Sequence, residues 1–159
     1  MSWDTFAPAV ASLGQSALGQ WLGQSTARIA WLLTFHLIGL TLLLGSTVVA
    51  SLHLLGLFLR NVPTPQLKRN VVPIMLIGLF FSLTSGTLTF IGGAQEYYAG
   101  EWFRTKMLFL GAALLFQATI FQWILGRQHT ARLARVLTGL TALVLWFGVA
   151  FSGRAIGFF

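Results

Sequence analysis

Four long apolar runs take up nearly the whole of this 159-residue chain, extending approximately over residues 29–59, 71–94, 102–125 and 133–153. Each reaches or exceeds the roughly 20 residues that cross a bilayer as a helix. Backbone N–H and C=O groups in hydrocarbon have to be paired within their own segment, so runs of this length fold as helices and not as open strands. With 56% hydrophobic and 8% charged residues, the composition is that of an integral membrane protein, and it leaves no material for a separate soluble domain. The fold class expected is therefore all-α. Short connections between long helices give antiparallel neighbours, which makes an up-down-up-down four-helix bundle the simplest architecture.

Residues 1–27 precede the first run and carry no Lys or Arg before Arg28, so they lack the basic start of a cleavable secretory signal. They are expected to stay on the mature protein. Phe6, Val10, Leu13, Leu18, Trp21 and Leu22 fall at loosely helical spacing among Ser, Gly and Gln, which suits a short helix lying in the membrane interface. Residues 28–159 then form a single transmembrane domain. There are no cysteines, which excludes disulfides, iron–sulfur clusters, thiolate zinc and covalently attached haem.

The ten basic residues are unevenly spread. Arg60, Lys68 and Arg69 lie between runs one and two, and Arg127, Arg132 and Arg135 between runs three and four, with no acidic residue among them. The positive-inside rule makes that side cytoplasmic and puts both termini outside. All three acids, Asp4, Glu96 and Glu101, fall on the opposite side, where Trp21, Trp31, Tyr97, Tyr98 and Trp102 fit an aromatic belt. The net charge of +7 is thus a signature of topology, and nucleic acid is a poor partner for it.

Small residues that let helices approach are Gly39, Gly45 and Ser46 in run one, Ser82, Ser85 and Gly86 in run two, Gly111 and Ala112 in run three, and Gly139 and Gly148 in run four. Pro73 is expected in the first turn of the second helix, where its missing donor does no harm.

An ionisable side chain inside a membrane span is costly, so each one marks a possible site. His36 and His53 share the first run. Seventeen residues on one helix separate them by about 25 Å along the axis and about 100° around it, so they cannot hold one metal together. They suit two separate metal sites, one toward each surface, in the manner of transmembrane b-type cytochromes. Near His36 in depth are Lys106 and Met107 at the start of the third run, and Arg154 at the end of the fourth. Histidine with methionine or a second nitrogen is an established axial pair for haem iron, and Arg104 and Arg154 suit haem propionates. At the level of His53 the available partners are Met75 and the loop residue His129. Each of these also has a plainer role: a hydrogen bond to a neighbouring helix for the histidines, interface anchoring for Arg104, Lys106 and Arg154, and packing for the methionines.

No acid lies within any run, and no phosphate loop, dinucleotide fingerprint, zinc-protease helix or nucleophile–base pair is present. Carboxylate-based proton pumping and hydrolysis of soluble substrates are therefore disfavoured. The sequence from His36-Leu37-Ile38-Gly39 through Leu43-Leu44-Gly45-Ser46 to Leu54-Leu55-Gly56-Leu57, followed by Tyr98, Phe103-Arg104-Thr105-Lys106-Met107 and Gly153-Arg154, resembles an uncharacterised family of four-helix bacterial inner-membrane proteins. More loosely, the histidine early in the first run and the Arg-x-Lys opening the third look like the CopD copper-resistance proteins and the HemJ-type protoporphyrinogen oxidases. That wider likeness implies haem b or copper, redox chemistry in the membrane, and His36, Arg104 and Lys106 as its site residues. It does not extend to His53, since this chain has Ser51 and His53 where the pattern carries an acid and then a basic residue.

Two functional expectations follow. One is a b-type-cytochrome-like protein with one or two haems that passes electrons to or from a quinone or partner subunit. The other is a non-catalytic accessory subunit in a larger respiratory or photosynthetic complex, with other membrane subunits or further copies of the chain as its neighbours.

Overall fold

The computed structural model describes residues 3–127 and 129–157, and side chains from residue 5 onward; Asp4, counted above with the acids, lies outside the described side chains. After a 3-10 turn at Trp3–Phe6, the chain forms α1 (Ala7–Gly14), α2 (Ala17–Gly23), α3 (Thr26–Leu54), α4 (Thr64–Gly92), α5 (Ala94–Ala99), α6 (Glu101–Leu125) and α7 (Arg132–Ala155). Helices α3, α4, α6 and α7 are each long and apolar enough to cross a membrane. They pack as an antiparallel four-helix bundle, and the chain is a multi-pass membrane protein. The start of α3 and the end of α7 lie at one end, the terminal end, and the two basic connections lie at the other, the basic end.

The bundle is built on the α3–α4 pair. These helices cross at Gly39 and Gly78, where a methyl group added to Gly39 would lie 2.6 Å from the backbone nitrogen of Ser82, and one added to Gly78 would lie 2.5 Å from that of Leu43. Only hydrogen at both positions allows backbones to meet this closely. Gly78 was not among the small residues singled out above. Of those that were, Gly139 packs on Leu54 and the Ser51 carbonyl, and Gly148 on the Phe109 ring. Gly45, Gly111 and Ala112 instead face outward, because the interior is lined one step further round, by Ser46 on α3 and Ala113 on α6.

Helix α7 packs against α3 and α6, and α4 meets α6 at the basic end, through Gln122–Leu125. Toward the terminal end the backbones of α4 and of Glu101–Phe116 stand apart, and Phe90 and Phe103 stack across the gap with ring centroids 4.9 Å apart. The core, including Leu43, Ala50, Leu54, Met75, Phe121, Leu125 and Trp146, is concentrated toward the basic half. Large apolar side chains such as Leu37, Phe80, Leu108, Leu115, Val144 and Phe151 point outward, as lipid contact requires. Polar side chains within the spans bond back to their own helix: Ser46 to the Leu42 carbonyl, Thr47 to Leu43, Thr89 to Ser85 and Ser152 to Gly148, at 2.6–2.9 Å.

Two details differ from the sequence expectation. Helix α4 begins at Thr64, well before its apolar run, so Pro65 takes the first-turn position and Pro73 lies inside the helix. The polar stretch from Gln66 to Asn70 extends the helix because Leu67 and Val71 still bury one face of it. Helix α6 is interrupted by a π-helical turn at Gln117–Phe121, which turns the polar Gln117 into the core. Such turns are rare and are often found at functional positions.

Before the bundle, Ser16 caps α2 by accepting from the Gly19 N–H at 3.1 Å. Helices α1 and α2 pack against α5 and the terminal end of α4, with Gly23 fitted onto Gly92.

Candidate functional site

In α3, His36 is half-buried and faces α4. Its Nδ1–H donates to the Ser82 carbonyl at 2.8 Å. The carbonyl can only accept, so in the neutral imidazole the lone pair lies on Nε2. Gly86 makes this placement possible, since a methyl group there would lie 2.9 Å from the imidazole Cε1. Nε2 has no hydrogen-bond partner among the described residues. Backbone anchoring of one ring nitrogen with the other left free is the arrangement that orients histidine as a metal ligand.

The imidazole borders a partly open cavity of about 250 Å³ lined by all four spans. His36, Leu40 and Leu43 come from α3, and Ser82, Gly86 and Phe90 are among those from α4; α6 supplies Phe103, Lys106, Met107 and Leu110, and α7 supplies Trp146 and Val149. The cavity exists because α4 and α6 diverge toward the terminal end. Three of the sequence-derived residues, His36, Lys106 and Met107, are therefore brought together. The stem of Lys106 lies along Gly153, whose added methyl group would stand 3.5 Å from both Cε and Nζ.

Beside the cavity lies a polar chain that sequence reasoning missed. The Trp146 indole N–H donates to Gln117 Oε1 at 3.2 Å, and Gln117 Nε2 donates to Met75 Sδ at 2.8 Å. Trp146 is at once a wall of the cavity and part of this chain. Gln117 was an available signal, as a polar amide in the middle of an apolar run, but its inward direction depends on the π turn.

The other sequence-derived residues lie elsewhere. His53 is buried in the last turn of α3, with Nδ1 3.1 Å from the Leu59 carbonyl and Nε2 3.1 Å from Thr64 Oγ1. Both ring nitrogens thus have protein partners, and the ring ties α3 to the start of α4 across the connecting loop. That loop opens with a helix stop in which Gly56, at φ +75°, donates to the His53 carbonyl and Leu57 to the Leu52 carbonyl. Leu59, whose carbonyl receives His53, also adopts a positive φ of 50°. Met75 is packed beneath the cavity, and His129 is exposed in the second basic connection. Arg104 lies over Tyr98, 6.0 Å from the ring centroid, and Arg154 is exposed at the end of α7; neither borders the cavity. No cluster of three or more His, Asp, Glu or Cys able to hold a metal ion occurs among the described residues, so a metal here would need a ligand of another kind.

No curated protein and no solved structure matches the chain. The family model that matches covers residues 11–159, and the chain accordingly belongs to DUF6644, a family of unknown function.

Proposed function

We propose that the chain is a b-type-cytochrome-like membrane protein that holds one haem in the cavity between α3, α4, α6 and α7, with His36 as an axial ligand. The observation that supports this reading is the His36 imidazole, fixed through Nδ1 on the Ser82 carbonyl while Nε2 has no protein partner beside an apolar cavity. Met107 and Lys106 border the same cavity, and thioether sulfur is an established partner to histidine on haem iron. The likeness of His36 and the Arg-x-Lys segment to CopD and HemJ-type proteins points the same way.

When bound, haem supplies reversible one-electron transfer; the chain supplies the ligand, the apolar walls and protection from water. At about 250 Å³ the cavity is smaller than the roughly 300–1,000 Å³ usual for ligand pockets. Occupancy by a tetrapyrrole therefore requires α4 and α6 to part further, and the Phe90–Phe103 stack is the contact that must yield. We confine the reading to one site because both nitrogens of His53 are already engaged.

In this reading the basic end faces the cytoplasm of a bacterial inner membrane and the cavity lies toward the outer face, where a quinone or partner subunit exchanges electrons. The test is haem titration of the purified protein and of His36→Ala. The wild type should bind one haem per chain with a b-type spectrum, and the variant should lose it. A wild type that takes up no haem and co-purifies with stoichiometric membrane partners would replace this reading with the accessory-subunit one.

A further inference from the structure

Lys106 is the one lysine or arginine that borders the cavity, and no hydrogen bond or ion pair joins it to any described residue. It lies five residues into α6, about 7.5 Å along the axis from Glu101. No Asp or Glu occurs in the described part of any span outside Glu101, which is exposed at the first position of α6. An ammonium held beside apolar walls with no counter-charge is costly. Snorkelling relieves part of that cost: the stem runs along Gly153, two residues before the end of α7, so the ammonium stands on the terminal side of the cavity that the side chain lines.

We infer that the ligand of this cavity carries a carboxylate, and that Lys106 is its counter-ion. The inference rests on the proposal that the cavity is a ligand site. A carboxylate fits better than a phosphate monoester because one ammonium balances a single negative charge, and no second Lys or Arg borders the cavity to balance the further charge a phosphate carries. With neutral His36 beside it, the site holds a single positive charge and is balanced by one carboxylate. Two sources share this chemistry: one of the two propionates of a haem, or the head of a free fatty acid entering from the bilayer. In the first case Lys106 would hold a propionate, and Met107 would be the sulfur donor left beside His36 among the residues that border the cavity.

The experiment compares acid with ester. Haem b and its dimethyl ester are titrated into wild type, Lys106→Met and Lys106→Arg in the same detergent, and cis-parinaric acid and its methyl ester are titrated in parallel by fluorescence. Dividing the acid-to-ester affinity ratio of the wild type by that of Lys106→Met cancels differences in detergent partition. A charge-assisted contact removed from a buried setting should make this quotient about 10 or more. Lys106→Arg should retain most of the preference.

A quotient well above one for haem assigns the carboxylate to a propionate. A quotient well above one for parinaric acid alone upholds the inference while the haem reading falls. A quotient near one for both probes, or no binding of either acid by the wild type, overturns it. Methionine is apolar and of similar length, so the variant suits the cavity walls, and unchanged thermal unfolding of Lys106→Met without ligand is the check that the fold is intact.

Discussion

In the proposed reading the two histidines of α3 divide the work between ligand and scaffold. His36 is secured through one nitrogen, and its removal should abolish the ligand spectrum while barely changing the unfolding of the ligand-free protein. His53 is secured through both, so His53→Ala leaves the Thr64 hydroxyl and the Leu59 carbonyl without their partner at the α3–α4 connection. That loss should cost about 1–3 kcal/mol and appear as a lower thermal midpoint in detergent with the ligand spectrum retained. A second expectation concerns Tyr97, on α5 between the spans. Partial burial, with a smaller contribution from the Glu96 carboxylate, holds its phenol above the usual tyrosine range. At least one of the two tyrosines should therefore titrate late in an alkaline absorbance titration, and Tyr97→Phe should remove that late phase. The folded state holds this proton more tightly than the unfolded chain does, so the linked effect is a loss of stability that begins as pH rises past about 10.

At the scale of helices, the contrast between buried and outward glycines is a direct test of the packing. Gly78→Ala puts a methyl group into the backbone of α3 and should destabilise the bundle by about 1–3 kcal/mol, despite the better helix propensity of alanine. Gly45→Ala meets nothing within 4 Å and should be neutral or slightly stabilising. Guanidine-free thermal unfolding in one detergent is enough to rank the two. Four spans, their helical state and their antiparallel order were legible in the sequence because run length and the cost of unpaired backbone groups in lipid leave few alternatives. Which glycines face inward was legible only in part: Gly39, Gly86, Gly139 and Gly148 pack inside as expected, while Gly45 and Gly111 face out and Gly78 was missed, since hydropathy distinguishes lipid from core poorly in spans this apolar. The start of α4 was hidden for a related reason, its first turns being polar on one side while Leu67 and Val71 bury the other. The π turn at Gln117–Phe121 left no trace in residue spacing, and with it the Gln117–Trp146 contact stayed out of sight.

Over the whole molecule, the cavity follows from an asymmetry in packing. The α3–α4 pair is held by a glycine crossing and α6 by α7, while the backbones of α4 and α6 come together only toward the basic end and Phe90 and Phe103 bridge the gap at the other. The bundle is thereby closed below and parted above, at the end where His36, Lys106 and Met107 gather. His36, Lys106 and Met107 were legible as a group because helix rise puts them at matching depth in antiparallel spans. Arg104 and Arg154 share that depth but point elsewhere, a matter of helix rotation that sequence spacing in an all-apolar span does not encode. Orientation belongs to this scale as well: reporter fusions after residue 159 should be active in the periplasm, and cytoplasmic activity there would invert the arrangement. The central claim is tested most directly by the absorption spectrum of the purified protein in mild detergent, oxidised and then dithionite-reduced, with a pyridine haemochrome count. The account predicts a b-type Soret and α band at one haem per chain that disappears in His36→Ala; a featureless spectrum after haem titration, or full haem retention in that variant, would contradict it.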